Sequence, residues 1–380
     1  MTRSHQKYTT LPLLPTELLN QIFRDKSLSH SDLASLALVS RQFLDGARRS
    51  LYKDVSVVVE EDDLREGHNL SLRSWQLLRT IQDDSRLAAL IRTIRFFCQE
   101  KSLVTEPDGI PTTEHLTLIT FLGLAQNTRR LHSTGFATCQ DLQNALDEVG
   151  NCFAISEVAL EHTNGLDLKH LSNQLPRLTH LSFKDLSDSC PETDACKKLA
   201  SLDIEDSAAR LQDTPLYPSP LSALRTLRIN LDMVIELSYR FDSSEFPHLA
   251  ELHAYPASAT NRVSKMQRKT DVDEFWTFVS RLHSLQTLSF DGSPFQIYES
   301  ELFEATLKLP VIPTLRTIRF ERDLSVDRIS SMLEWPLMLA IPRMVVPIPK
   351  RSPNTTLRKR RIEAVVAMCE GTGIEVMLSN

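Results

Sequence analysis

Glycine is scarce: the chain has 10 in 380 residues, and the only close pair is Gly371 and Gly373. Phosphate-cradling loops cluster glycines so that backbone N–H groups can approach the ligand, and neither a Walker loop nor GxGxxG is present. GxSxG and HExxH are also missing, and the 11 histidines show no paired metal-ligand spacing. The one dense acidic cluster, Glu60, Glu61, Asp62 and Asp63, is consecutive, so its side chains diverge from any single reacting atom and read as a solvated turn. These absences argue against an enzyme, a bound metal and a cofactor.

Other classes fall for similar reasons. The six cysteines contain no CxxC pair and sit mostly in apolar segments, so they read as reduced, buried thiols. Basic residues are in deficit: the net charge is −6, which disfavours bulk nucleic-acid binding. The polar start MTRSHQKYTT is no secretion signal, and the most apolar late stretch, residues 335 to 348, is broken by Pro336, Pro342 and Pro347 and carries Arg343. No membrane segment is expected, and the location is expected to be cytoplasmic, nuclear or both.

Leucine, in contrast, is abundant at 58 residues. From Leu11 the chain reads LPLLPTELLNQIFRDKSLSHSDLASLALVSRQFLDGARRSLYKDVSVVV. Pro15 suits a first helical turn and Glu17 complements its dipole, so a helix is expected from Pro15 to Lys26. Its apolar pairs, Leu18 with Ile22 and Leu19 with Phe23, are offset by roughly 100° around the axis, giving two apolar faces. A second helix is announced by Ser31 as N-cap and carries Leu33, Leu36 and Val39; a third follows over Ser40 to Ser50. So small a module cannot bury two apolar faces of one helix by itself, and one face needs a partner.

This segment resembles the F-box. Leu14, Pro15, Glu17, Leu18, Leu19, Ile22, Phe23, then Leu33, Leu36, Val39, Ser40, Arg41 and Phe43 fill that family's pattern in order, and residues 49 to 55 resemble the form common in fungal F-box proteins. The resemblance implies docking on a Skp-family adaptor and, through it, on a cullin, with no chemistry performed by the chain. Leu14, Pro15, Leu18, Leu19, Ile22, Phe23, Leu33, Leu36, Val39 and Phe43 are the implied adaptor-binding residues.

Beyond the module a motif, Leu-x-x-Leu-x-apolar, recurs from residues 91 to 320 at nine places, among them LTHLSF (178 to 183), LRTLRI (224 to 229), LQTLSF (285 to 290) and LRTIRF (315 to 320). The mean spacing is 28 residues, within the range of ~20 to 29 for leucine-rich repeats, although single steps vary from 21 to 37. Strands that alternate polar with apolar do not fit a closed barrel or a doubly wound sheet, whose strands are apolar on both faces. The expected fold is α/β: residues 1 to 10 as a flexible start, a three-helix F-box over 11 to 55, and a parallel leucine-rich-repeat solenoid of strand-helix units over 56 to 380. Strands are expected at Asp54 to Val59 and Ile374 to Leu378, and helices near Ser71 to Asp83, Gln140 to Val149, Asp271 to Leu282, Phe295 to Leu307 and around Ile362 to Cys369.

The outward positions of these strands mix both charges, which suits a polypeptide better than phosphate-rich nucleic acid. Lys184, Glu205, Arg228, His253, Tyr255, Asp291, Arg319 and Glu321 are the candidate target-binding residues, and the strands starting at 199 to 315 are expected to form the longest uninterrupted exposed ladder. Two basic segments stand apart. Arg262, Lys265, Arg268 and Lys269 read as a surface loop; Lys350, Arg351, Arg358, Lys359, Arg360 and Arg361 read as a loop plus the exposed start of a helix, with an import signal as the alternative. The whole reads as the substrate-recognition subunit of an SCF-type ubiquitin ligase. The other reading is a leucine-rich scaffold that binds the same adaptor without a ubiquitination role.

Overall fold

The computed structural model describes residues 14–25, 27–65, 68–98, 113–135, 139–150, 154–161, 171, 173–184, 199–205, 222–230, 234, 243–255, 274–290, 312–320, 340–347, 355–370, 372 and 374–379. The chain divides into two compact units, the first covering 1–101 and 111–132 and the second 102–110 and 133–380.

The first unit begins with three helices, α1 (Thr16–Arg24), α2 (His30–Val39) and α3 (Arg41–Leu51). Pro15 stands at the N-cap of α1 with Glu17 in the first turn, and the helix stops at Asp25, shorter than the expected run to Lys26. The N-cap of α2 is Ser29, not Ser31. Ser29 has Asp32 three residues on, and the pair closes a capping box: Ser29 N–H donates to Asp32 Oδ2 at 2.9 Å and Asp32 N–H to Ser29 Oγ at 3.2 Å.

Strand β1 (Asp54–Arg65) runs six residues past the expected end at Val59. It does so by pairing antiparallel with β2 (His68–Leu70), through Leu64 with Asn69 and Arg65 with His68, after an irregularity between Val59 and Leu64. The four consecutive acids therefore lie within a strand and not in a turn. Helix α4 (Leu72–Asp83) is capped by Ser71, whose Oγ accepts from Ser74 N–H, and helix α5 (Ser85–Ala88) follows. Strand β3 (Thr93–Cys98) pairs parallel with β1, and α6 (Thr113–Leu124) completes the unit. The division between units falls within β4 (Arg130–Thr134).

In the second unit α7 (Cys139–Val149) precedes β5 (Glu157–Glu161), β6 (His180–Lys184), β7 (Ser201–Glu205), β8 (Thr226–Asn230), β9 (Glu251–Tyr255), β10 (Thr287–Phe290), β11 (Thr317–Phe320), β12 (Arg343–Pro347), helix α8 (Thr355–Glu370) and β13 (Glu375–Ser379). Each strand from β5 to β13 pairs parallel with the next in sequence. The order never reverses, as it would in a doubly wound sheet.

A recurring turn explains both the motif and its prolines. The N–H groups of Leu178, Leu249 and Leu315 donate to the carbonyls of Leu175, Phe246 and Ile312 at 2.9, 3.3 and 3.1 Å, so Pro176, Pro247 and Pro313 occupy the second position of a four-residue turn, where a φ fixed near −65° is favourable. Two successive amides then donate to one carbonyl of the preceding unit: Ala200 and Ser201 to Thr179, Arg225 and Thr226 to Ala200, Ala250 and Glu251 to Arg225, Gln286 and Thr287 to Ala250, Arg316 and Thr317 to Gln286, all at 2.8 to 3.1 Å. The same join is made whatever the length of chain between strands.

Each turn feeds a buried anchor and two buried strand residues, as with Leu178, Leu181 and Phe183, or Leu224, Leu227 and Ile229. Helical residues 274–281 press Phe275 and Trp276 onto Phe290, which stacks on Phe320 at a centroid distance of 6.2 Å. In α8, Val365 and Cys369 are buried, as the apolar spacing requires. Two strands depart from expectation: β12 lies in the proline-broken stretch for which no strand was expected, and β13 begins one residue later, with Ile374 as its buried anchor. The helix expected at 295 to 307 lies outside the described residues.

Candidate functional site

Within the three-helix module the apolar residues sort into two sets. Leu33 and Ala47 are buried. Phe23 meets Phe43 edge to face at 6.2 Å, and a Cβ added to Gly46 would lie 3.0 Å from Phe23 Cζ and closer still to Cδ2 and Cε2. Phe23 is therefore seated against α3. Ser50 Oγ donates to the Phe23 carbonyl at 3.0 Å and Gln42 Nε2 to the Leu14 carbonyl at 2.7 Å, which ties both ends of α1 to α3.

The second set faces water: Leu14 is 36%, Leu18 45%, Leu38 89% and Val39 58% exposed. Four large apolar residues in a module this small leave a surface without an internal partner. The Gln42 contact sets Leu14 beside the first turn of α3, which Ser40 alone separates from Val39 in the chain. Pro15 is exposed, while Leu19, Ile22, Leu36 and Phe43 are half-buried. Leu38 escaped the sequence reading because Leu33, Leu36 and Val39 already fill the helical period, and in LASLALV nearly every position is apolar.

The strand ladder of the second unit forms in the expected register. Its third positions align as Ser182, Asp203, Arg228, His253, Ser289 and Arg319 on successive strands. Opposite charges meet along it, with Arg228 Nε 3.5 Å from Asp203 Oδ2 and Lys184 aligned with Glu205, and His253 Nε2 lies 3.5 Å from Glu251 Oε2. Tyr255 is aligned with Asn230 at the end of β9, and Arg319 is exposed on β11.

The expected uninterrupted exposure does not hold. Ser289 occupies an outward position between Leu288 and Phe290, yet it is fully buried, and the His253 side chain retains 11% exposure. Strand β12 repeats this, with Val345 buried between Met344 and Val346. Alternation in sequence reports which face a side chain takes, not whether that face is covered. Asp291, Glu321, the 262 to 269 segment, Lys350 and Arg351 lie outside the described residues. Arg358 to Arg361 fall within α8, with Arg360 exposed.

Two carboxyls in the module are held below their ordinary range: that of Asp25 by the Ser27 backbone N–H, and that of Asp32 by the Ser29 hydroxyl and backbone N–H. Burial pushes the Cys369 thiol up. No group of three or more His, Cys, Asp or Glu side chains that could hold a metal occurs among the described residues, and none of their helices is long and apolar enough to cross a membrane.

Residues 11–57 match the F-box-like family model. No curated protein matches the chain. The match covers α1 to α3 and the start of β1, supports the assignment of an F-box protein, and implies binding of a Skp-type adaptor.

Proposed function

We propose that the chain is the substrate-recognition subunit of an SCF-type ubiquitin ligase. The F-box, residues 11 to 55, docks on the Skp-family adaptor and so on the cullin; residues 56 to 380 form an irregular leucine-rich-repeat domain whose outward strand face binds the target protein. The observation that carries this reading is the exposure of Leu14, Leu18, Leu38 and Val39 in a module whose sequence matches an F-box-like family. Burying such side chains yields roughly 1.5 to 3 kcal/mol each, enough for a small docking surface to hold. Leu33 and Phe23 serve docking through the fold, by holding the helices that present this surface. The repeat reading is supported by the identical two-amide joins between successive strands.

The test is co-expression of the full chain with a Skp-type adaptor and a cullin. Leu18→Asp combined with Leu38→Asp places charges on exposed positions, so the thermal transition should stay within a few degrees of wild type while adaptor capture is lost. Undiminished capture by the double variant would overturn the assigned surface. Adaptor capture without cullin recruitment, or without any protein that accumulates when the chain is removed, would turn the reading to a scaffold without a ubiquitination role.

A further inference from the structure

We propose that Arg95 and Phe97 of β3, with Val58 of β1 beside them, form a seat for a target polypeptide segment that carries an acidic side chain two residues from an apolar one. The inference deepens the assignment of the outward strand face as the target reader, rests on it, and locates the seat in the first unit, which also holds the F-box.

Strand β3 alternates. Ile94 and Phe96 are buried, so Arg95 and Phe97 take the opposite face, where Arg95 is exposed and Phe97 is 39% exposed. Strand β1 aligns exposed Ser56 with Arg95 and half-buried Val58 with Phe97, while Val57 and Val59 turn inward. An aromatic ring on the solvent face adds nothing to the core behind the sheet, and an apolar neighbour one strand away makes it a patch instead of a lone exposed residue. The patch is held at Val58, whose N–H donates to Ser74 Oγ at 2.8 Å and whose carbonyl accepts from Ser71 N–H at 3.0 Å, at the capped start of α4. A seat ordered before binding loses less conformational freedom on docking.

Charge says what the occupant carries. Among the described residues the Arg95 side chain has no hydrogen bond or ion pair. Asp54, the acid of β1 on this face, is aligned with Thr93 and not with Arg95. The second unit has a comparable apolar pair, Val345 aligned with Met377, but there the cation is met, since Arg343 Nε donates to Glu375 Oε2 at 3.0 Å. Arg95 lacks such an acid, and a carboxylate from a partner supplies it. Arg95 and Phe97 stand two residues apart, about 6.7 Å along the strand, which is the spacing at which side chains of an extended segment share one face. The complement is therefore an extended segment with Asp or Glu, any residue, then a large apolar residue; arginine and aromatic side chains are the types enriched where polypeptides dock. Arg92 and Thr93 N–H both donate to the Lys53 carbonyl, at 2.8 and 3.0 Å, so the start of β3 is tied to the chain just past α3. A target seated here is anchored to the F-box itself.

The experiment is selection of a phage-displayed random peptide library on the full chain, immobilised with and without a Skp-type adaptor. On the wild type, peptides with Asp or Glu two residues from a large apolar residue should be enriched about tenfold or more over the input library, whether or not the adaptor is bound. Phe97→Ser should abolish that enrichment. Arg95→Glu should exchange the acid for Lys or Arg while keeping the apolar residue, an outcome that loss of folding does not produce. Both positions are on the surface, so the thermal transitions should stay within a few degrees of wild type. No enrichment on the wild type, or the same acidic peptides on Arg95→Glu, would overturn the seat. Enrichment that the adaptor blocks would overturn it in favour of an adaptor contact, and a wild-type dimer by light scattering that Phe97→Ser splits would overturn it in favour of a second copy. Adaptor capture is scored on the same immobilised chain, so loss of the ligase assignment is read separately from loss of the seat.

Discussion

Replacing Gly46 by alanine sets two effects of known size against each other. A glycine inside a helix is ordinarily about 1 kcal/mol worse than alanine, so on propensity alone Gly46→Ala should stabilise α3. Packing opposes it. The new Cβ would overlap the Cδ2 and Cε2 atoms of Phe23 and lie 3.0 Å from its Cζ. The ring has little freedom to yield, because Phe43 meets it edge to face at 6.2 Å and the Ser50 hydroxyl holds the Phe23 carbonyl at 3.0 Å. Forcing a methyl into a packed contact costs about 1 to 3 kcal/mol, and overlap with two ring atoms belongs at the upper end. The net effect is a loss of about 1 to 2 kcal/mol, which makes opening of the module about 5 to 30 times more frequent. Hydrogen exchange of peptides from α1 and α3 in the full chain reads this directly. Phe23→Leu combined with Gly46→Ala should recover most of the loss, since the smaller side chain vacates the space. If Gly46→Ala slowed exchange in α3, propensity would have won, and the seating of Phe23 against α3 would be wrong.

Leu227 is 2% exposed in β8, so Leu227→Asp should cost about 4 kcal/mol or more and collapse part of the second unit, whereas Thr226→Ala should stay within about 0.5 kcal/mol; equal melting of the two variants would refute the strand register. The Asp32 carboxyl is held below its ordinary value of 3.8 by the Ser29 hydroxyl and N–H. A depressed carboxyl stabilises the fold above that ordinary value, and its contribution fades as pH falls through the lower folded value. An NMR titration should therefore place Asp32 below 3.8 in the wild type and raise it part of the way back in Ser29→Ala, which loses the hydroxyl but keeps the backbone N–H; a wild-type midpoint at or above 3.8 would refute the capping box. Cys369 is buried with its thiol pushed up by desolvation, so iodoacetamide should label half-buried Cys98 before Cys369 in the native chain, and equal rates at these two mapped by mass spectrometry would count against that burial.

Much of the local architecture was legible in the residues, because it depends on neighbours in sequence. Leu18 with Ile22, or Leu227 with Ile229, announces its element by periodicity alone, and β6, β7, β8 and β9 begin where the repeated motif places them. The role of Pro176, Pro247 and Pro313 at the second turn position needed the hydrogen bonds that the N–H groups of Leu178, Leu249 and Leu315 donate. Strand β12 was hidden because its proline-rich stretch lacks the leucine spacing; Met344 takes its place only by aligning with Ile318. The extension of β1 was hidden because four acids read as solvated, and only the pairing of Leu64 and Arg65 with β2 beyond them carries the strand on.

What the sequence by itself determined is the F-box-like pattern, the strand register and the side of the sheet each side chain takes. These follow from spacing, which a linear chain carries in full. Only the tertiary structure decided which of the apolar residues in the module turn inward, as Leu33 and Ala47 do, and which, like Leu38, face water. It alone placed Ser289 out of solvent and beside His253 and Arg319, strands whose residues stand 36 and 30 positions away in sequence. The physical reason is common to both cases: burial is a property of what packs against a face, and that neighbour comes from elsewhere in the chain.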